Sequence, residues 1–169
     1  MKYLFYFLLL IAYCLLFPVS PAHALSVGDA VTGMEFTAGN GSKVTFNDYK
    51  GKVLFINFWA SWCEPCKKEM PELIKLSVRY KYQGVVLLSV NCDRRETMAK
   101  NFLKENQFNN MDIFFDSKGK APEMFNVLAM PMSFVVDKKG TVRFVHFGFN
   151  DRKDPEHWEK EIQGLLNEQ

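Results

Sequence analysis

The sequence predicts an α/β domain: a central mixed β-sheet flanked by helices, with an added N-terminal β-hairpin. Three observations carry this reading. Val53-Leu54-Phe55-Ile56-Asn57-Phe58-Trp59 and Val85-Val86-Leu87-Leu88-Ser89-Val90 are nearly continuous apolar runs, as expected of strands buried on both faces. A helical pattern joins them, and the right-handed crossover rule makes such strands parallel neighbours. A hairpin pattern around Asp137-Lys138-Lys139-Gly140 and a last helix then close the chain.

Residues 1–24 read as a signal peptide and residues 25–169 as the folded domain. Lys2 supplies a positive start, and Tyr3 to Phe17 is an uncharged apolar run. Pro18 and Pro21 follow, and Ala22-His23-Ala24 fits a small-x-small cleavage site. The apolar run is shorter than the roughly 20 residues of a membrane-spanning helix. The alternative is an uncleaved segment that anchors the protein to the membrane. Cys14 lies inside the apolar run behind Tyr13, where lipid attachment would want a small residue.

Next, Gly33-Met34-Glu35-Phe36 and Lys43-Val44-Thr45-Phe46 flank the turn Ala38-Gly39-Asn40-Gly41-Ser42, which makes a small hairpin. After Val53–Trp59, a helix is expected from about Glu64 to Tyr82, with apolar Met70, Leu73, Ile74, Leu76 and Val78 and a kink at Pro71. Val85–Val90 is the next buried strand. Arg95 to Asn106 reads as an amphipathic helix with a stripe of Met98, Ala99, Phe102 and Leu103. Ile113–Phe115 is a short strand and Glu123–Phe125 a short helix. Met132–Val136 and Thr141–Phe147 form a hairpin. Asp154-Pro155 caps the final helix, which buries Trp158, Ile162, Leu165 and Leu166.

The chain has 169 residues, enough for one domain and a short appendage. Its 48% hydrophobic content and 16 Phe fill an aromatic-rich core and exclude disordered and collagen-like classes. A net charge of +2, with no basic stripe interleaved with aromatics, excludes a nucleic-acid partner. Beyond residue 24 the cysteines are Cys63, Cys66 and Cys92. In an oxidising compartment such an odd count suits one working pair and a spare thiol better than a framework of staples.

The pair lies in Trp62-Cys63-Glu64-Pro65-Cys66, between a strand and a helix. Two sulfurs at this spacing can close a small ring, and the turn sets Cys63 at a helix N-terminus, where free N–H groups and the dipole favour thiolate. Exchange needs such a thiolate to attack a disulfide sulfur through a mixed disulfide. Cys63 is therefore the candidate nucleophile and Cys66 the resolving thiol. Glu64 opposes a lowered Cys63 pKa, while Lys67 and Lys68 favour it. Glu69 lies three residues beyond Cys66 on the same helix face. It could take the Cys66 proton or hold its own, or be an exposed residue paired with Lys. Pro65 fits the first turn of a helix. Trp59 and Trp62 could wall the site. Cys92 follows the second buried strand and reads as a small half-buried residue, the alternative being a third thiol near the site edge. His146 and His157 lack ligand spacing.

The run from Asn57 to Leu73, together with Met130-Pro131 before Ser133-Phe134-Val135-Val136-Asp137, then Gly140 and Gly148, resembles the TlpA/ResA-like extracytoplasmic thioredoxin-fold proteins over about Val27 to Leu166. Two departures stand out. Thr32-Gly33-Met34-Glu35-Phe36 lacks the family's proline, and Met132 replaces a common Thr. The resemblance implies a thioredoxin fold, a cis bond before Pro131, and thiol–disulfide exchange with exported proteins in the periplasm or another extracytoplasmic space. It also implies that Glu69 serves Cys66, and that the Met130 backbone beside Pro131 receives an extended substrate strand. Members with this Cys-Glu-Pro-Cys centre often reduce haem-attachment cysteines in cytochrome c maturation.

The leading expectation is thus a reductant without cofactor or resident metal, using Cys63, Cys66 and Glu69, with Trp62, Glu64, Pro65, Met130 and Pro131 shaping the substrate site. Its partners are exported proteins with a reducible disulfide and a membrane dithiol donor. Membrane contact is expected only transiently, through the signal peptide. Two other functions compete: an oxidant or isomerase, and a Cu(I)-type metal carrier using the same cysteines with Cys92 or a methionine. A structural zinc site is not expected, because no second ligand pair completes it.

Overall fold

The computed structural model describes residues 25–31, 33–108, 111–116 and 119–168. The expected signal peptide, with Lys2, Cys14 and the Ala22-His23-Ala24 site, lies outside the described residues, as does Thr32.

Seven strands form one mixed sheet. They are β1 (Glu35–Ala38), β2 (Lys43–Thr45), β3 (Val53–Trp59), β4 (Val85–Asn91), β5 (Ile113–Phe115), β6 (Met132–Val136) and β7 (Val142–Phe147). Their spatial order is β2-β1-β5-β4-β3-β6-β7. The α-helices are α1 (Glu64–Tyr80), α2 (Glu96–Glu105), α3 (Lys120–Met124) and α4 (Asp154–Asn167). A 3-10 turn spans Phe46–Tyr49.

β3 and β4 are parallel neighbours, with Val53 opposite Val85 and Trp59 opposite Asn91. β6 pairs antiparallel with β3 on the other side, Ile56 opposite Phe134. The hairpin β1–β2 joins the sheet through β5, Thr37 opposite Phe115 and Ala38 opposite Phe114. The sequence pattern named no partner for this hairpin. A bridge between Ala30 and Thr141 ties the segment before it to the β6–β7 turn.

The near-continuous apolar run of β3 has its reason in the sheet's two covered faces. All seven of its residues are buried, and alternate side chains point to opposite faces. Leu54, Ile56 and Phe58 enter a core with Met34, Phe36, Phe125 and Phe134. There Phe58, Phe125 and Phe134 pack with ring centroids 4.9–5.9 Å apart. Val53 and Phe55 face Leu73, Trp158 and Ile162 of α1 and α4, with Phe55 edge-on to Trp158 at 5.1 Å. Trp59, at the end of the strand, packs in a third cluster with Cys63, Cys66 and Met70. Each large buried side chain contributes about 1.5–3 kcal/mol of transfer free energy.

Several helix details differ from the sequence reading. α1 ends at Tyr80, and its buried face is Cys66, Glu69, Met70, Leu73, Leu76 and Tyr80, while Val78 is exposed. The helix continues through Pro71, which sits on the solvent side. Its neighbours Met70 and Leu73 are fully buried, and that packing holds the helix together where one backbone bond is missing. α3 starts before Glu123. The Asp116 carboxylate accepts from the Ala121 N–H at 2.6 Å and satisfies the first turn. In α4, Lys153 occupies the cap and Asp154 is the first helical residue. The Asp154 carboxylate turns back to accept from the Asn150 N–H at 2.6 Å. Leu166 is only partly buried.

Candidate active site

The parallel pair β3–β4 brings the C-terminal ends of both strands to one edge of the sheet, where open α/β sheets place their sites. Beyond β3 the chain turns through Ala60-Ser61-Trp62, and the Cys63 N–H donates to the Ala60 carbonyl at 3.1 Å. Cys63 then caps α1: its sulfur accepts from the Cys66 N–H at 3.2 Å. A sulfur so placed faces the free N–H groups of a helix start, an arrangement that stabilises thiolate once the pair is reduced.

Cys63 and Cys66 form a disulfide with Cα atoms 5.3 Å apart. Cys63 retains 5% exposure and Cys66 has none. Cys63 is thus the more accessible residue of the pair. Glu64 and Pro65, the first two residues of α1, are exposed, and Trp62 beside Cys63 is 68% exposed. The Met130–Pro131 peptide bond is cis. Pro131 is buried, its carbonyl accepts from the Gly148 N–H at 2.8 Å, and Met130 packs against the cluster that holds both cysteines.

Glu69 is only 1% exposed, so it is not a solvated helix residue paired with Lys. Burial pushes its carboxyl up to about 8, the Asn57 amide pulls against that shift, and the Asp154 charge adds to it. Asn57 Nδ2 donates to Glu69 Oε2 at 2.9 Å and to Ser133 Oγ at 2.9 Å. A buried carboxyl group that is largely protonated near neutral pH therefore lies one helical turn beyond Cys66.

Cys92 sits apart from the pair. Its N–H donates to the Trp59 carbonyl at 2.9 Å, while its half-buried side chain packs on the opposite core with Phe58 and Phe134. Burial, then the charges of Asp116 and Asp93, push its thiol up to about 12. The expectation of a small structural residue describes it better than a third working thiol. Among the described residues no group of three or more His, Cys, Asp or Glu side chains is gathered as a metal would need. His146 pairs with Glu161 at 2.8 Å and His157 is exposed.

Asp93, Asn57 and Ser133 were not singled out from the sequence. Asp93 is buried at the end of β4 and clamps the loop before Cys63. Its carboxylate accepts from the Ser61 N–H and the Ser61 hydroxyl, both at 3.0 Å, and from Asn91 Nδ2 at 2.9 Å. The available signal was a carboxylate just past a buried strand at the sheet edge that also carries the cysteines.

Comparison with known proteins gives a consistent picture. The sequence pattern of the AhpC/TSA family matches residues 27–145. The thiol-disulfide oxidoreductase ResA of Bacillus cereus is 33% identical over 123 residues, 73% of this chain and 70% of that protein. ResA of Bacillus anthracis is 32% identical over 139 residues, 82% of this chain and 79% of that protein. Among solved structures, a Chlorobium tepidum chain assigned as the thiol:disulfide interchange protein DsbE superposes with a TM-score of 0.78. It is 33% identical, and the match covers 85% of this chain and all of that one.

Proposed function

This chain belongs to the AhpC/TSA family and is a thiol–disulfide oxidoreductase of the ResA type with a thioredoxin-like fold, and from that premise we propose that it works as a reductant of disulfides in exported proteins. The observation that supports dithiol exchange is the Cys63–Cys66 pair at the start of α1 with the buried Glu69 carboxyl one turn beyond it, and the reducing direction follows from the likeness to ResA.

In the proposed cycle the Cys63 thiolate attacks a substrate disulfide, forms a mixed disulfide and expels one substrate thiolate. Glu69 in its carboxylate form, which prevails as pH rises past about 8, takes the Cys66 proton, and Cys66 attacks the Cys63 sulfur. The second substrate thiolate leaves, and Cys63 and Cys66 are joined. Two electrons have passed from the dithiol to the substrate, and the pair is left as the disulfide seen in the structure. Burial makes Cys66 reluctant to ionise alone; a neighbouring base with a raised proton affinity removes that barrier. Trp62, Glu64 and Pro65 form the exposed rim of the site, and the Met130 backbone beside Pro131 receives an extended substrate segment by strand addition.

The substrate class we favour is apocytochrome c with its paired haem-attachment cysteines, outside the cytoplasm. A membrane dithiol donor then restores the reduced state, since exported disulfides otherwise persist. Among the described residues no helix is long and apolar enough to cross a membrane. Trapping tests the reading. Cys66→Ser should accumulate mixed disulfides through Cys63 with exported thiol proteins, and Cys63→Ser should accumulate none. Equal trapping by both variants would overturn the assigned roles.

A further inference from the structure

The Cys66 step needs Glu69 to present one oxygen to the sulfur and to release the proton afterwards. Nothing on α1 itself fixes which oxygen that is. The sheet beneath does. Ser133 of β6, Asn57 of β3 and Ser89 of β4 stand in register across three neighbouring strands, so their side chains share one face. All three are buried. This is a polar row across three central strands whose other positions, Asn91 apart, are apolar, and in it Asn57 and Ser133 are hydrogen-bonded while Ser89 Oγ has no partner among the described residues. Burying such a row is costly unless it serves to hold something.

What it holds is Glu69. Asn57 Nδ2 carries two hydrogens and has two acceptors, Glu69 Oε2 and Ser133 Oγ. In this orientation one amide nitrogen bridges the carboxyl and the Ser133 hydroxyl, which ties Glu69 on α1 to β3 and β6. Oε2 is thereby engaged, while Oε1 has no hydrogen-bond partner among the described residues. The engaged oxygen of a carboxylic acid is its carbonyl oxygen, because the donor already faces it; the proton resides on the other.

We propose that Asn57 is a positioning residue for the Cys66–Glu69 step: its amide, bonded also to Ser133, holds Oε2 of Glu69 and leaves Oε1 as the oxygen that exchanges the proton with Cys66. This rests on the role given to Glu69 above. A donor to the carboxylate also favours its ionised form, so Asn57 eases release of the proton after turnover. The charged groups around Glu69 are few. Cys66 lies on its own helix and Asp154 on α4. His146 of β7, paired with Glu161, stands in register beyond Ser133. Asn57 supplies a neutral donor where another carboxylate would add repulsion.

The test follows the resolving step directly. In a Cys92→Ser background, the reduced full chain is mixed with dithionitrobenzoate. One thionitrobenzoate is released as Cys63 is loaded, and a second as Cys66 attacks Cys63 and closes the disulfide. The pH midpoint of the second phase is measured. Asn57→Leu should raise the midpoint by about one pH unit, the size expected for losing one hydrogen bond to a charged acceptor. Ser133→Ala should raise it less, and neither should move it in a Glu69→Gln background. A Glu69→Gln protein with an unmoved midpoint would remove the premise and the proposal with it. If Glu69→Gln moves the midpoint but Asn57→Leu does not, the proposal alone is overturned. Should Asn57→Leu fail to fold, Ser133→Ala decides: a midpoint equal to that of the parent overturns the proposal.

Discussion

At the scale of single residues, two differences in burial organise the chemistry. Cys63 is slightly open and Cys66 is closed, which supports the proposed roles of attack and resolution. Glu69 is closed and holds its proton up to about pH 8. That value also bears on stability. The folded state binds this proton more tightly than the unfolded chain, where a glutamate titrates near the ordinary value of 4.5. The stabilising contribution is therefore complete below about pH 4.5 and is lost as pH rises through about 8, a loss on the order of a few kcal/mol. Urea unfolding of the oxidised protein should show stability falling between about pH 5 and about pH 9, and Glu69→Gln should flatten that slope. An equal slope in both proteins would show that Glu69 is not the group responsible. The Cys-x-x-Cys pair and the position of Glu69 were legible in the sequence because both are local to one helix turn. Asn57 with Ser133, and Ser61 with Asp93, were not. Those bonds join residues 76 and 32 positions apart and exist only once the sheet has formed.

At the scale of elements, the loop between β3 and α1 must hold Cys63 still while its sulfur exchanges partners. Asp93 does this from just past the end of β4, through two bonds to Ser61. Asp93→Ala should cost on the order of 1–3 kcal/mol, since it strands two part-buried donors. It should also widen the difference in Cys63 alkylation rate between the folded variant and the parent. Unchanged stability and alkylation would remove Asp93 from the account. The β6–β7 turn makes a different demand. Gly140 has φ +89°, and a Cβ there would lie 2.4 Å from the Phe46 ring. Gly140→Ala should destabilise by at least ~1 kcal/mol, read from the denaturant midpoint. The sequence marked Gly140 as a turn residue, but the Phe46 ring that closes over it comes from the far side of the chain.

At the scale of the molecule, one strand pair explains why the site is where it is. The apolar runs of β3 and β4 announced a buried parallel pair, and the structure has it. What stayed hidden was the placement of the N-terminal hairpin against β5. Short strands pair through backbone bonds that carry no periodicity of their own, so the partnering of Thr37 with Phe115 and Ala38 with Phe114 is not written in either segment. The helical face opposite is held by Trp158, which packs on Phe55 at 5.1 Å and on Phe149 at 5.7 Å. Trp158→Ala should cost about 3–5 kcal/mol while leaving the redox couple of any folded fraction unchanged. A shifted couple would mean that α4 acts on the dithiol and not only on the core. The measurement that tests the central claim most directly is the equilibrium reduction potential of the Cys63–Cys66 couple. The account predicts a value near or below that of thioredoxin, about −270 mV, as a reductant served by a dedicated donor requires. A value near that of DsbA, about −120 mV, would contradict it and make this protein an oxidant.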